Sequence, residues 1–257
     1  MKRYTIVTRP DEVSLSLEDQ IRHDLNNHGY IEDKEEPDVV FVVGGDGTFI
    51  YAVHQFFKQL NKVRFYGIHT GTLGFYTDYR DSEYDEFMET FLNHECEEAT
   101  YPILQAYTGK ETYYAVNEIR IENAARTQVL DVYVNTVPFE KIRGTGILVC
   151  TQLGSTAYNR SLGGAVIQEG LDLIEMCEIA GIHHSKYRSL GAPIIMKSDT
   201  VLDFYATSFK GALLGADADV YTFTDETKVT ISSCSNLKVR MLRGRKVSYY
   251  SRLKSLF

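Results

Sequence analysis

The stretch VVFVVGGDGTFIYAVHQFF, residues 39–57, constrains the fold of this chain more than any other. Its opening run of apolar residues predicts a strand that is buried on both faces, as strands of parallel sheets are. The apolar spacing after Gly47 predicts a helix. A strand that leads into a helix through several glycines, with Asp46 among them, is typical of the edge at which α/β sheets bind ligands.

The first third of the chain alternates strand and helix patterns. The predicted strands and helices, in chain order, cover residues 3–8, 14–28, 38–43, 47–60, 63–69 and 82–93. This βαβαβα order predicts a parallel sheet with helices on both of its faces.

The pattern changes near residue 97. Beyond it, short runs rich in Tyr, Val, Thr and Ile, such as QVLDVYVNTV and GILVCT, predict strands separated by turns, with one helix after Ser155. We therefore predict two domains: an α/β domain over residues 1–97 and a β-rich domain over residues 98–244. The tail, about residues 245–257, is expected to return to the first domain.

The glycine turn GGDGT fits a phosphate-binding loop. Glycines let a ligand approach the backbone closely, and the free N–H groups at the start of a helix favour a phosphate. Asp46 would repel a phosphate unless it binds a metal ion or accepts a proton from an attacking hydroxyl. A structural interpretation fits equally well, in which Asp46 caps the helix and the glycines form a tight turn.

A second glycine cluster, GIHTGTLGFYTDY at residues 67–79, follows the next strand. Because parallel strands end at the same edge of a sheet, the two glycine loops are expected to form one crevice. Phe75 and Tyr76 fit a flat apolar wall for a nucleotide base. They fit two core aromatics equally well.

Two polar clusters stand out in the β-rich part. Asn117 and Glu118, in AVNEIRIE, are predicted to lie within a strand and to face opposite sides, so one of them is buried or at an interface unless the strand is an edge strand. The stretch RGTGILVCTQLGSTAYNRSLGG, residues 143–164, is rich in glycine and hydroxyl groups. Ser155 and Thr156 are expected to cap a helix whose free amides would hold a second anionic group.

Charge and cysteine usage limit the class of protein. The net charge of -8 argues against general binding to nucleic acid. From Thr227 onward there are basic residues and no carboxylates, which fits a solvated tail or one that docks on an acidic partner or anionic ligand. The four scattered cysteines predict free thiols and no zinc site. With no signal-peptide pattern and no long apolar run, we expect a cytoplasmic protein that does not cross a membrane.

The segments GGDGT, HTGTLGF, NE and GSTAYNRSLGG, in this order, resemble those of the NAD kinase family, most closely its short bacterial form. GGDGT alone also occurs in phosphofructokinases and in lipid kinases of the diacylglycerol type. The resemblance implies an α/β domain, a β-rich domain and a site between them. It also implies that a phosphoryl group passes from ATP to the 2′-hydroxyl of the adenosine ribose of NAD, giving NADP.

The resemblance assigns roles to particular residues. It implies that Asp46 is the base that accepts the hydroxyl proton. The other residues that it places at the phosphate loop or in the dinucleotide pocket are Gly45, Gly47, Thr48, Phe75, Asn117, Glu118, Arg143, Thr145, Thr156, Ala157, Tyr158, Ser161 and Ala180. No protein metal site is expected; a divalent cation, Mg²⁺, is expected to arrive with ATP. The resemblance further implies a homo-oligomer, a dimer or tetramer.

The chain departs from the family pattern at two places. It has Thr145 where the family has the aspartate of Gly-Asp-Gly, and Leu153 where the family has a hydroxyl residue. In the family, the lost carboxylate accepts a hydrogen bond from the nicotinamide end, so recognition of that end is expected to be weaker here. Asp217, in LGADAD, is the expected counterpart of a further family aspartate.

Two other functions stay open from the sequence. One is a dinucleotide-binding sensor without catalysis, which the departures at Thr145 and Leu153 would fit. The other is a lipid or sugar kinase that shares only the GGDGT loop. The sequence also leaves open whether inorganic polyphosphate replaces ATP as the donor.

Overall fold

The computed structural model describes residues 2–71, 74–183 and 187–256. The chain divides into two compact units. One comprises Met1–Tyr101 with Leu237–Phe257, and the other comprises Pro102–Asn236.

The strands are numbered in chain order over the described residues. They are β1 Arg3–Thr8, β2 Ile31–Glu32, β3 Val39–Val43, β4 Arg64–His69, β5 Tyr79–Arg80, β6 Glu97–Tyr107, β7 Thr112–Ala115, β8 Glu118–Glu122, β9 Gln128–Val134, β10 Val137–Gly144, β11 Gly146–Thr151, β12 Leu173–Ile179, β13 Ile194–Lys197, β14 Leu202–Tyr205, β15 Leu213–Ala216, β16 Asp219–Thr222 and β17 Lys228–Arg243.

The second and third helices are shorter than the sequence pattern predicts, whereas the first begins two residues earlier than predicted. The α-helices are α1 Glu12–Asn27, α2 Asp46–Gln55, α3 Tyr84–Leu92, α4 Tyr158–Ser161 and α5 Tyr249–Leu253, and 3₁₀ turns cover Phe57–Gln59, Asp81–Glu83, Gly154–Thr156 and Lys254–Leu256. The start of α1 is set by Asp11, whose side chain accepts a hydrogen bond from the backbone N–H of Ser14. In the described residues, no helix has both the length and the apolar content that crossing a membrane requires.

The first unit is built on a parallel sheet in the order β2-β1-β3-β4, with β5 beside β4. The end of β17 joins it, because Met241 pairs in parallel with Phe65 of β4. Apolar side chains of α1 and α3 share a core with Phe41 and Tyr66. Successive strand residues face opposite sides, so Phe49 of α2, which contacts Phe65, covers the other face.

The second unit is β-rich. One sheet has the order β13-β12-β11-β8-β15-β16, and β10, β9, β14 and β17 follow one another in the second. All of these pairings are antiparallel. Side chains from both sheets form one apolar core, including Ile119 and Val149 from the first sheet and Val132 and Phe204 from the second. The predicted fold class, a parallel α/β part followed by a β-rich part, is therefore confirmed.

Candidate functional site

The two glycine loops meet at the carboxyl ends of β3 and β4, which are adjacent in the parallel sheet. The backbone N–H of Gly44 donates to the carbonyl of Ile68, with an N···O distance of 3.1 Å. Gly44 has φ +153°, and a Cβ there would lie 2.5 Å from Oγ1 of Thr48. Only glycine fits this position, so the turn that leads into α2 is fixed by the sequence.

Asp46 is the first residue of α2, and its carboxylate points to the second glycine loop. It accepts hydrogen bonds from the backbone N–H of Phe75, at 3.0 and 3.2 Å, and from that of Tyr76, at 3.3 Å. The N-cap of α2 is Gly45, and no side chain caps the helix. The interpretation of Asp46 as a helix cap is therefore wrong: the carboxylate joins two loops instead.

Around Asp46 the loop leaves room beside the backbone. Among the described residues, a Cβ at Gly47 would meet no atom within 4 Å, and one at Gly45 would meet only the ring of His69, at 3.5 Å. Packing against the described residues therefore requires neither glycine. Room beside a helix start with free N–H groups is what a phosphate ligand needs.

His69 lies beneath both loops and was not singled out from the sequence. Its side chain is buried, and Nδ1 has no hydrogen-bond partner in the part of the chain that the structure describes. Burial lowers the pKa of His69, with Arg9 and Arg80 acting in the same direction and Asp46 opposing them. The imidazole is therefore held in its neutral form at neutral pH. Its position as the last residue of strand β4, in GIHTG, is the signal that sequence reasoning left unused.

Phe75 and Tyr76 are both buried, at 7% and 5% exposure. The ring of Tyr76 stacks on Phe49 of α2, with centroids 5.1 Å apart, and that of Phe75 contacts Tyr249 of α5 at 6.2 Å. Tyr76 is thus a core aromatic, not part of an exposed wall. Thr72 and Leu73 of the predicted motif lie outside the described residues.

In the second unit, Asp217 organises the backbone just before β8. Its carboxylate accepts hydrogen bonds from the N–H groups of Val116 and Asn117, both at 2.7 Å, and of Glu118, at 3.2 Å. Asn117 therefore precedes β8. The sequence had predicted that it lies within a strand, and this prediction is wrong. Since β8 lies between β11 and β15, the edge-strand interpretation is also wrong.

Glu118 is a buried carboxyl, at 6% exposure, and its Oε2 has no hydrogen-bond partner. Burial raises its pKa to about 7, with a further increase from Asp217 and a smaller opposing effect from Arg120. The nearest guanidinium nitrogen of Arg120 is 3.8 Å from Oε1. This carboxyl gains or loses its proton close to neutral pH.

The raised pKa of Glu118 predicts that the free energy of unfolding depends on pH. Because its pKa rises from 4.5 unfolded to about 7 folded, the folded state binds the proton more tightly, so stability is lost as pH rises from 5 to 8. Glu118→Gln should remove this loss, which amounts to about 3 kcal/mol. Urea unfolding of both proteins at pH 5 and pH 8 measures it. Equal pH dependence in the two proteins would contradict the assignment.

The turn after β11 supports residues 154–161. The hydroxyl of Thr151 donates to the carbonyl of Val116 at 2.7 Å, and its backbone N–H donates to the carbonyl of Asn117 at 2.9 Å. The predicted capping by Ser155 and Thr156 is wrong. Their hydroxyls donate to carbonyls three residues earlier, and α4 has no side-chain cap. With four residues, α4 is also too short for the predicted anion site.

A buried polar pair that the sequence did not single out fixes this turn. The side-chain amide of Asn159 donates to Oε2 of Glu175 at 2.8 Å and to the carbonyl of Ala165 at 3.1 Å. Glu175 also accepts from the backbone N–H of Ala165 at 2.8 Å. The Asn in GSTAYNRSLGG was the available signal, but its partner Glu175 lies in a strand outside the motif.

The other predicted pocket residues fall into two groups. Tyr158 packs on Leu148, Cys150 and Ile179, while Ala157 is half-buried and Ser161 exposed. The remaining group comprises Arg143, Thr145 and Ala180.

The second group lies where β10 and β12 end. The N–H of Thr145 donates to the carbonyl of Ile179 at 2.9 Å, and Ala180 follows with φ +48°. The guanidinium of Arg143 lies over the ring of Tyr187, 5.1 Å from its centroid.

Metal-ligand side chains do not converge in the described part of the chain. In residues 2–71, 74–183 and 187–256 there is no group of three or more His, Cys, Asp and Glu side chains placed to hold an ion. The four cysteines are free, as predicted.

Comparison with known proteins defines the class and then the family. The family model "ATP-NAD kinase N-terminal domain" matches residues 6–96, and "ATP-NAD kinase C-terminal domain" matches residues 116–243. The chain is therefore an enzyme, a kinase that transfers a phosphoryl group. It belongs to the NAD kinase family, so the resemblance inferred from the sequence is confirmed.

Individual relatives agree over the whole chain. It is 38% identical over 239 residues to the NAD kinase of Streptococcus gordonii, covering 91% of this chain and 87% of that one. It is 34% identical over 261 residues to the NAD kinase of Streptococcus pneumoniae (strain Hungary19A-6), covering 100% and 96%. These matches support the kinase and not the two alternatives that the sequence left open, a dinucleotide-binding sensor without catalysis and a lipid or sugar kinase.

Solved structures share the fold. An NAD kinase from Archaeoglobus fulgidus in complex with ATP matches with a TM-score of 0.80 at 21% identity, over 99% of this chain and 98% of that one. A yeast NADH kinase complexed with NADH matches with a TM-score of 0.79 at 16% identity, over 100% and 86%.

Proposed function

We propose that this enzyme transfers the γ-phosphoryl group of ATP to the 2′-hydroxyl of the adenosine ribose of NAD, giving NADP and ADP. The observation that carries the proposal is the position of Asp46. It is a carboxylate between two glycine loops at the sheet edge, oriented by the amides of Phe75 and Tyr76. Membership in the NAD kinase family supplies the identity of the two substrates.

Asp46 acts as the general base in this proposal. One oxygen takes the proton of the 2′-hydroxyl as the ribose oxygen bonds to the γ-phosphorus, and the bond from that phosphorus to the bridging oxygen of ADP breaks. The amides of Phe75 and Tyr76 occupy one side of the carboxylate and fix its direction. A fixed base needs no reorganisation when the hydroxyl arrives, which is how positioning lowers the barrier.

The phosphates of the donor are proposed to lie along the first glycine loop. Gly45 and Gly47 leave room beside the backbone N–H groups at the start of α2, and Thr48 packs against Gly44 to hold the turn. The helix dipole favours negative charge at this end. Phe75, fixed between the loop and α5, is proposed to pack against the substrate.

The second unit is proposed to bind the dinucleotide. Asn117 and Glu118, whose backbone is held by Asp217, bind the adenosine part. For the rest of the molecule, the proposed contacts are Arg143, Thr145, Thr156, Ala157, Tyr158, Ser161 and Ala180. Glu118 can donate as well as accept a hydrogen bond near neutral pH, because its raised pKa keeps part of the population protonated.

A divalent cation, proposed to be Mg²⁺, would neutralise charge on the donor phosphates. Mg²⁺ keeps several waters and is usually bound through substrate phosphates with one or two carboxylates. Cytoplasmic location and homo-oligomeric assembly stay predictions.

The proposal is tested by incubating the purified protein with NAD, ATP and Mg²⁺ and measuring the NADP that forms. Parallel reactions with NADH as acceptor and with inorganic polyphosphate as donor define the range of substrates. The expected result is NADP from NAD and ATP, with the phosphate esterified to the 2′ oxygen of the adenosine ribose. A folded protein that binds NAD but forms no NADP would overturn the proposal.

The proposed role of Thr145 predicts a change in affinity. Its backbone N–H is fixed by the carbonyl of Ile179, so Thr145→Asp should keep the strand while restoring a charged acceptor. A hydrogen bond to a charged group is stronger than a neutral one by about 1 kcal/mol, so the KM for NAD should fall about fivefold. Steady-state kinetics measure this, with the KM for ATP as internal control. An unchanged KM for NAD would contradict the role.

A further inference from the structure

The arginines near the end of the chain are paired with carboxylates, whereas Lys246 and Lys254 are exposed, so the interpretation as a solvated tail fits the lysines but not the arginines. Arg245 binds the Glu83 carboxylate at 2.7 Å, and Arg240 binds that of Glu98 at 2.8 Å. Arg243 and Arg252 converge on residues 74–78 of the second glycine loop, and Nε of Arg245 also donates to the carbonyl of Asp78 there, at 2.9 Å. All of these contacts lie within the first unit.

Arg252, in α5, is the most buried of these cations, with 3% of its side chain exposed. Its Nη1 donates to the carbonyl of Gly74 at 2.9 Å and also to that of Thr77, and its Nη2 donates to the carboxylate of Asp78. One planar guanidinium therefore binds both ends of residues 74–78. Lysine could not do so, because it is a single point charge without the forked geometry.

The same carboxylate holds a second cation. Asp78, 2% exposed, accepts from Nη1 of Arg243 at 3.1 Å and from the backbone N–H of Gly244 at 3.0 Å. Nη2 of Arg243 donates to the carbonyl of Phe75 at 3.3 Å. The loop is thus bound to the C-terminal segment through four of its carbonyls, those of Gly74, Phe75, Thr77 and Asp78, and through the Asp78 carboxylate.

The amides that orient Asp46 lie between the carbonyls that Arg252 binds. Phe75 and Tyr76 donate to Asp46, while Gly74 and Thr77, immediately on either side, accept from Arg252. We infer that Arg252 is a positioning residue for phosphoryl transfer: it fixes the loop that aims the Asp46 carboxylate. This inference rests on the proposed function.

The physical reason is that the carbonyls of Gly74 and Thr77, on either side of the two amides, accept from this guanidinium. Without it these two carbonyls would lose that partner, whereas Arg243 and Arg245 would still bind the carbonyls of Phe75 and Asp78. Buried carbonyls need a partner, so the loop would rearrange to reach water, and the two amides would move with it. A displacement of about 1 Å at a catalytic group is enough to lower the rate substantially.

The inference is tested with Arg252→Gln. We expect kcat to fall by about tenfold or more while the KM values for ATP and NAD change less than threefold. Hydrogen exchange followed by mass spectrometry should show faster exchange in the peptide that contains residues 74–78. Arg252→Lys, which keeps the charge beside Asp78, should give intermediate values and also serves if the glutamine variant does not fold.

Arg240→Gln is the matched control. Arg240 also lies in the first unit and binds a carboxylate and a backbone carbonyl, those of Glu98 and Asn61, but it makes no contact with residues 74–78. It should lower the melting temperature without changing kcat or the exchange of the loop. Equal losses of kcat in the two glutamine variants would overturn the inference, because they would indicate only a general loss of stability.

Failure of the inference and failure of the proposed function give different results. If the wild type forms NADP and folded Arg252→Gln keeps its kcat and its slow loop exchange, the inference is wrong and the proposed function stands. If the wild type forms no NADP, the proposed function is wrong, and the positioning role falls with it whatever the exchange shows.

Discussion

Asp46→Asn should lower kcat for NADP formation by roughly 10²–10⁴-fold, the usual contribution of a general base. Asparagine has nearly the shape of aspartate, but its amide cannot take the hydroxyl proton. Because the carboxylate accepts two backbone N–H groups, the variant also turns one amide donor towards Phe75 and Tyr76. Single-turnover and steady-state assays of NADP formation measure the loss.

Asp33→Asn is the matched control for this variant. Asp33 also accepts hydrogen bonds from two backbone N–H groups, those of Glu35 at 3.0 Å and Glu36 at 2.9 Å, and lies in the same unit. It therefore measures what loss of such a carboxylate does to stability alone, and its kcat should equal that of the wild type. If Asp46→Asn retained more than a tenth of the wild-type kcat, Asp46 would not be the base.

The strand, glycine loop and helix around Asp46 could be predicted because their signals are local. A buried strand, a glycine turn and a 3.6-residue apolar period all lie within residues 39–57. The sequence predicts that this helix ends at residue 60, but α2 ends at Gln55, because the apolar pattern continues into the 3₁₀ turn Phe57–Gln59. Periodicity does not distinguish the two helix types over one turn.

The position of Asn117 could not be predicted in the same way. Its sequence neighbours alternate as a strand would, yet β8 begins only at Glu118. The cause is Asp217, 100 residues further along the chain, which binds the N–H of Asn117 and thereby takes it out of the ladder. A single sequence contains no signal for a contact at that separation.

The role of the C-terminal segment could not be predicted from the sequence for the same reason. Its basic composition indicated an electrostatic partner, but not that the partner is residues 74–78 of the same chain. Arg252 binds Gly74, 178 residues away, and Asp78, 174 residues away. Burial of a guanidinium follows from these contacts, not from its neighbours in SYYSRLKSLF, which include a lysine and several hydroxyl groups.

Gly74→Ala should lower kcat by about 100-fold or more, with a smaller effect on the KM for ATP. A Cβ at Gly74 would lie 2.1 Å from Oδ1 and 2.4 Å from Cγ of Asp46. Two non-bonded heavy atoms cannot lie this close, so the carboxylate must move by about 1 Å. A misplacement of that size at a catalytic group lowers the rate about 100-fold. Kinetics at saturating NAD and ATP measure the effect.

Gly47→Ala is the matched control for Gly74→Ala. It tests whether a loss of kcat comes from displacement of Asp46 or from any change in the glycine loops. A Cβ at Gly47 meets no atom of the described residues within 4 Å, and alanine favours the helix that begins there, so folding should be unaffected. Because the proposed phosphates occupy that room, Gly47→Ala should raise the KM for ATP, whereas Gly74→Ala should lower kcat. If both variants changed only the KM for ATP, the close approach of Gly74 to Asp46 would have no part in catalysis, and the two loops would serve binding alone.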